Sequence, residues 1–338
     1  DDAVQPNEIL VLTGPEAQYG SDMRAFAADY SPLVPLEGMH RLLLDAGYPI
    51  AIVAEDMLAN HLPRARLVIL SELRAMAAST EAALRRFVES GGCILVTGSL
   101  PAAGGRTIDW FGVRREEAPW QDHIYLPLLR PDAERSPVLV HGPFHRLALC
   151  GAETVLQAIQ PYDCQYGMRF GHATGPASFE PSGVPALVRH RLGAGEVWYL
   201  EASIGSDYAQ KANYWQAEWW RELCRRLLPH PTARVVSDSG NVEIVAHASD
   251  RATWAFLINH GGEQLFSTQR TARTLGPVPP YPVTVEIRVP AGRGVASVLV
   301  DGEQVPCPDI DEGALHLSLL MDRVWLVVQV LWRGGKTD

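Results

Sequence analysis

Three short runs of apolar residues, Glu8-Ile-Leu-Val-Leu-Thr13, Leu67-Val-Ile-Leu70 and Cys93-Ile-Leu-Val-Thr97, constrain this chain more than any other feature. Each has strand length, and a strand that is apolar at nearly every position is one covered on both faces, as in a parallel sheet flanked by helices. Helical patterns fill the intervals. Met39 to Ala46 reads as a helix stopped by Gly47, and Pro49 to Ala54 reads as a strand. A second helix takes Ser79 or Thr80 as its cap, carries Glu81 at the positive end of its dipole, and sets Leu84, Phe87 and Val88 on one face before Gly91-Gly92. Strand, helix, strand in repetition predicts an open doubly wound α/β sheet.

From Leu100 to about Pro181 Gly, Pro and aromatics are dense, and the pattern predicts long excursions over the strand ends, with short elements only at Pro137 to Val140 and Ala152 to Ile159. Regularity returns with strands at Ala186 to His190 and Gly195 to Leu200, joined by Gly193-Ala194-Gly195. A helix over Asn213 to Leu228 follows, in which Trp215, Trp219, Leu223 and Leu227 form the expected buried stripe. Pro229-His230-Pro231 breaks it and divides the chain into an α/β domain, 1–230, and a second domain, 231–338. There the helical period disappears. Asn241 to Ala248, Ala252 to Asn259, Val283 to Val289, Val295 to Val300, Ala314 to Leu320 and Val324 to Val330 are strand-like, with turn signals at Asp301-Gly302 and Glu312-Gly313, which predicts an antiparallel β-sandwich.

The length of 338 residues suits two domains. A net charge of -10 argues against a nucleic-acid partner, and the arginine pairs Arg85/Arg86, Arg114/Arg115 and Arg225/Arg226 read as solvated helix faces or local ion pairs. No apolar run approaches the ~18 residues of a membrane span. Cysteines at 93, 150, 164, 224 and 307, without a CxxC pair, predict reduced thiols and a cytoplasmic location. The chain opens Asp1-Asp2-Ala3 with neither an initiator Met nor a leader, which reads as a processed product or a piece of a longer protein.

In a doubly wound sheet ligands bind beyond the carboxyl ends of the strands. The turns there are Thr13-Gly14-Pro15-Glu16, Ser71-Glu72-Leu73 and Thr97-Gly98-Ser99-Leu100. Ser99 is the candidate nucleophile, with His123, His141, His145 or His172 as its base. Leu100-Pro101 do not suit a nucleophile elbow, however, and a plain turn serine is the favoured reading. No dinucleotide or phosphate-loop fingerprint is present, so no cofactor is expected. His141 and His145, with Cys150, Cys164 and His172 beyond, invite a zinc reading, but Pro143 interrupts the helix that would align them, and no metal is expected. Trp110, Trp120, Tyr125, Tyr162 and Tyr166 in the irregular stretch, together with His145 and His172, are candidates for stacking on sugar or meeting a partner. Glycoside cleavage needs two carboxylates a few ångströms apart. Glu196, Glu201 and Asp207 are close in sequence without specifying such a pair, Glu196 opening a strand and Asp207 falling in a loop.

Leu67-Val-Ile-Leu-Ser-Glu-Leu73 with Leu84-Arg-Arg-Phe-Val-Glu-Ser-Gly-Gly-Cys-Ile-Leu-Val-Thr-Gly98 resembles the beta-galactosidase trimerisation domain, which follows the catalytic barrel in glycoside hydrolase family 42 and related hypothetical glycosyl hydrolases. Gly171-His-Ala-Thr-Gly-Pro-Ala177, Gly193-Ala-Gly-Glu-Val-Trp-Tyr-Leu200 and Asn241-Val-Glu-Ile-Val-Ala246 look like later segments of the same proteins, whose terminal β-sandwich matches the last hundred residues. The resemblance implies a class I glutamine amidotransferase-like (flavodoxin-like) sheet without its catalytic cysteine, in agreement with Ser99 at the turn. It also implies a non-catalytic C-terminal region that assembles as a trimer and partners an upstream barrel carrying both catalytic glutamates. No catalytic residue transfers onto this sequence. Two other readings are a stand-alone amidotransferase-like hydrolase using the crevice near Ser99, and a carbohydrate-binding module. Trp254 and Trp325, lying in strongly apolar strands, read as core and speak against the second.

Overall fold

The computed structural model describes residues 3–14, 33–129, 136–162, 175–236, 242–260, 263–266, 272–275 and 280–334. His172, Tyr166, Cys164 and the turn residues Pro15 and Glu16 lie outside these. The chain divides into two compact units, one made of Ile9–Leu42 and Ala51–Leu223, the other of Asp1–Glu8, Leu43–Ile50 and Cys224–Asp338.

The larger unit opens with β1 (Ile9–Thr13), α1 (Val34–Asp45), β2 (Ala51–Ala54), β3 (Leu67–Ser71), α2 (Ala78–Glu89) and β4 (Cys93–Thr97). Four long strands follow, β5 (Val113–Leu126), β6 (Val138–Leu149), β7 (Glu153–Pro161) and β8 (Ala177–Leu192), and then β9 (Gly195–Leu200). They form one sheet of nine strands in the order β2-β1-β3-β4-β9-β8-β7-β5-β6. The first five are parallel neighbours and the rest antiparallel. The sheet is thus mixed, with few helices.

Burial explains the continuous apolar runs. Leu10, Leu12, Val68, Leu70, Ile94 and Val96 pack with Leu84 and Val88 of α2. The intervening Ile9, Val11, Leu67, Ile69 and Leu95 point to the opposite face and are as fully buried. The start of α2 differs from expectation: it begins at Ala78, ahead of Ser79 and Thr80, because Glu55 caps it from another segment. One Glu55 oxygen accepts from Ala77 N at 2.8 Å and from Thr80 Oγ1 at 2.7 Å.

The stretch expected to be irregular is mostly strand, β5 to β8. Its pairings carry repeated register shifts, between Arg115 and Pro119 and again between Gln121 and His123, so the side-chain period of two is broken wherever a bulge inserts a residue. The expected single helix from Asn213 is preceded by another. α3 (Ile204–Lys211) and α4 (Tyr214–Leu227) are separated at Ala212, whose φ is +44°. The buried stripe of α4 runs through Ala217, Trp220, Leu223 and Cys224, while Trp215 is half exposed.

The smaller unit carries β10 (Ala233–Val235), β11 (Val242–Ala248), β12 (Ala252–Asn259), β13 (Tyr281–Arg288), β14 (Gly294–Val300), β15 (Ala314–Met321) and β16 (Trp325–Arg333). One antiparallel sheet is β10-β13-β15 and the other β11-β12-β16-β14, each with a short edge strand. Ile244, Leu257 and Val328 from one sheet share a core with Val285, Ile287 and Leu317 from the other. The hairpin turns at Asp301-Gly302 and Glu312-Gly313 have positive φ at both residues, as two-residue hairpins require. Residues 1–8 and 43–50 join this unit through polar contacts: Val235 N donates to Gly47 O at 2.8 Å, Thr232 N to Glu8 Oε2 at 2.6 Å, and Arg234 to both Tyr48 Oη and Glu286 Oε2. Trp325 departs from expectation and is 63% exposed. Alternation along β16 turns Leu326, Val328, Val330 and Trp332 inward and leaves Trp325 outside, a phase that only Gln329, on the same outward face, marks within the apolar run.

α1 and α3 cross so closely that a Cβ on Gly38 would lie 1.7 Å from the Gly205 carbonyl oxygen. Gly38→Ala is expected to lower stability by about 2–3 kcal/mol. Gly294→Ala, where a Cβ meets nothing within 4 Å, is expected to stay near wild type. Urea unfolding of both variants measures the difference.

Candidate functional site

The carboxyl ends of the parallel strands open onto a cleft of about 1060 Å³. Its floor and walls come from the turns after β1 (Thr13, Gly14), β3 (Ser71 to Arg74) and β4 (Ser99, Leu100), from β5 and β6, and from α3. This is where an open α/β sheet ordinarily places a ligand, near the point at which strand order reverses between β1 and β3.

Glu72, the residue after β3, has a left-handed conformation, φ +52°, which a residue with a side chain adopts at a cost. Its carboxylate accepts from Ser206 N at 2.8 Å and Ser206 Oγ at 2.7 Å, so it satisfies donors in the first turn of α3. Burial pushes this carboxyl above its ordinary range, against the lowering effect of the Ser206 bonds. Gly98 makes room for it, since a Cβ there would meet Glu72 Cγ at 2.9 Å, and its φ of +65° suits glycine.

Just beyond β9, Glu201 is buried with only 2% exposure. Arg115 Nε of β5 donates to it at 2.9 Å and His145 N of β6 at 3.1 Å, and the Tyr199 hydroxyl meets its other oxygen. Tyr199 Oη also donates to Gly98 O at 2.6 Å. Burial raises the Glu201 carboxyl, with Arg115 opposing; burial and the neighbouring Glu201 hold the Tyr199 hydroxyl far above its ordinary value, so it remains a donor. In sheet order β8 and β7 stand between β9 and β5, so these bonds require the antiparallel strands to curl back over the strand ends.

Asp207 sits in the first turn of α3, correcting its expected place in a loop. It is 4% exposed and takes His141 N and Nδ1 at 3.2 Å each, Lys211 Nζ at 3.1 Å and Gln216 Nε2 at 2.5 Å. The two carboxylates that share the region are therefore each held by cations and amides.

Ser99 lines the cleft, and among the described residues no histidine or carboxylate hydrogen-bonds its hydroxyl. His145 also lines it; its Nδ1 donates to Glu116 O at 2.8 Å, and burial holds its imidazole below the ordinary value. Trp120 lies within β5 rather than in a loop, half-buried beneath Arg146, whose guanidinium is 5.2 Å from the ring centroid. Trp110 donates through Nε1 to Glu81 and packs edge-on against Phe111. His141 and His145 do share a wall of the cleft, although on a strand. Among the described residues no cluster of three or more His, Cys, Asp or Glu side chains is arranged to hold a metal. The turn positions of Thr13, Glu72 and Ser99 follow from the strand ends in sequence, whereas no motif marks Arg74 or Lys211, and the Arg114/Arg115 pair reads in sequence as an ion-paired or solvated face rather than as cleft lining.

Of the solved structures that this chain resembles, an alpha-L-fucosidase isoenzyme 2 from Paenibacillus thiaminolyticus superposes with a TM-score of 0.74 at 18% identity, covering 98% of this chain and 50% of that one. The chain has the fold of part of a glycoside hydrolase. A GH42 beta-galactosidase from G. stearothermophilus gives a TM-score of 0.57 at 14% identity, over 97% of this chain and 40% of that one. A beta-galactosidase from Bacillus circulans sp. alkalophilus gives 0.56 at 14%, over 98% and 42%. The chain thus spans half or less of the length of these neighbours. No family model matches the sequence, and no curated protein does. No described helix is long and apolar enough to cross a membrane.

Glu72 yields a pH test. A carboxyl raised by folding binds its proton more tightly in the native state, so its contribution is full at low pH and falls as pH rises from the ordinary value near 4.5 through the raised one. Glu72→Gln removes that fall. Urea midpoints measured at increasing pH are expected to show the wild type losing stability relative to the variant.

Proposed function

We propose that this chain is the non-catalytic C-terminal region of a larger glycoside hydrolase-like protein, serving subunit association beside an upstream catalytic barrel. One observation carries the reading: nearly the whole chain superposes on glycoside hydrolases while accounting for only 50% of the fucosidase and 40 to 42% of the beta-galactosidases. A region aligned end to end with part of an enzyme is the expected appearance of accessory domains. The parallel order β2-β1-β3-β4-β9 is that of flavodoxin-like sheets and supports an amidotransferase-like ancestry. No cysteine lines its strand-end cleft among the described residues, and Glu201 and Asp207 are consumed by Arg115, Lys211 and His141. A trimer fits this role, because a heterologous contact repeated three times closes into a ring. The stretch 100–180 is the part of the α/β unit that would border a neighbouring barrel's sugar cleft. Cys93, Cys150, Cys224 and Cys307 are free thiols, which accords with a cytoplasmic location.

Light scattering on the purified chain over a concentration series tests the association role. The expected mass is close to three times 37.1 kDa. A monomer at every concentration would remove self-association from these residues.

A further inference from the structure

We propose that the strand-end cleft of the α/β unit binds a small oxyanion-bearing ligand, a carboxylated or phosphorylated molecule of sugar size, gripped by Arg74 and Arg114. This goes beyond subunit association and stands independently of it.

The first argument is charge. The chain as a whole has 39 acidic and 29 basic residues. Among the described residues the cleft reverses that balance, with Arg74, Arg114, Arg115 and Lys211 on its lining against the carboxylates of Glu72 and Asp207. Cations gathered in a concave, partly desolvated space in an otherwise acidic protein focus a local positive field.

The second argument is which of these charges are already engaged. Glu72 is occupied by Ser206, and Asp207 by His141, Gln216 and Lys211. Arg115 is paired with Glu201. Two guanidiniums remain. Arg74 lies within electrostatic reach of Glu72 but no hydrogen bond joins them among the described residues, and Arg114, within reach of Asp109, directs its Nε to the Cys150 sulfur at 3.3 Å, a weak acceptor. Both side chains belong to exposed residues, yet both face the cleft. A guanidinium presents a planar fork of donors suited to carboxylate and phosphate.

The third argument is the remaining lining. Thr13, Ser99 and Thr107 offer hydroxyls along the same walls, suited to a polyol, while the Ser203 hydroxyl is spent on Glu72. A volume of about 1060 Å³ accommodates a ligand of sugar size. The ligand class that satisfies both sets of groups carries one oxyanion and several hydroxyls.

The test is isothermal titration of the whole chain with galacturonate, inorganic phosphate and neutral galactose. Galacturonate or phosphate is expected to bind and galactose not, with affinity falling as salt rises. Arg74→Ala and Arg114→Ala, at exposed positions, are expected each to weaken binding about tenfold while leaving urea midpoints unchanged. Binding of galacturonate well above phosphate assigns a sugar acid, and equal binding assigns a bare oxyanion; both support the site. Absence of binding by both anions, equal binding of galactose, or unchanged affinity in the Arg74→Ala/Arg114→Ala double variant would overturn it. A failure here leaves the solution mass of the chain untouched, so it is distinguishable from a failure of the association role.

Discussion

The shape of the α/β unit depends on one buried carboxylate. Glu201 stands just past β9, the strand at which parallel pairing gives way to antiparallel, and it gathers donors from β5, β6 and β9 together. Without it the guanidinium of Arg115 and the amide of His145 would lose their shared acceptor in a dry environment. Asp207 to His141 and Gln216 Nε2 to Leu139 O add ties between β6 and the helices, but only Glu201 bonds β5, β6 and β9 at one point among the described residues. Such a pair adds little net stability, since the cost of burying the charges offsets their attraction; its effect is to specify one arrangement. Satisfied networks of this kind rigidify, and here the rigid part is the wall of the cleft.

The two other acidic groups work in the same way on a smaller scale. Glu72 and Asp207 both fasten α3, one from the end of β3 and the other from within the helix to β6. The cleft is therefore bounded by elements tied to each other through carboxylates whose acceptors are filled. That is why its acidic residues are poor candidates for acid or base chemistry, and why Arg74 and Arg114, which hydrogen-bond no carboxylate among the described residues, stand out.

Much of the fold was legible because burial on two faces writes itself into sequence as unbroken apolar runs. β1, β3 and β4 were readable for that reason, as was β9, and the turns Asp301-Gly302 and Glu312-Gly313 were readable from their backbone demands. β5 was not, and β6 to β8 were legible only in the pieces Pro137 to Val140, Ala152 to Ile159 and Ala186 to His190, since bulges shift the alternation and prolines and glycines lie inside the strands. The cap of α2 was misplaced because Glu55, more than twenty residues away, supplies it. The candidate site was half visible. Turn positions at Glu72 and Ser99 follow from strand ends, whereas Arg74, Arg114, Arg115 and Lys211 converge only through the curl of the sheet. The phase of β16 is marked only by Gln329, so the apolar neighbours of Trp325 make it read as core although it is exposed.

On the function proposed above, this region is a scaffold and glycoside chemistry is performed elsewhere. The most direct measurement is release of 4-nitrophenol from aryl galactosides and fucosides by the purified chain. The account predicts no release above the buffer rate. Turnover that survives rigorous purification and is abolished by Ser99→Ala would contradict it and make the strand-end cleft an active site.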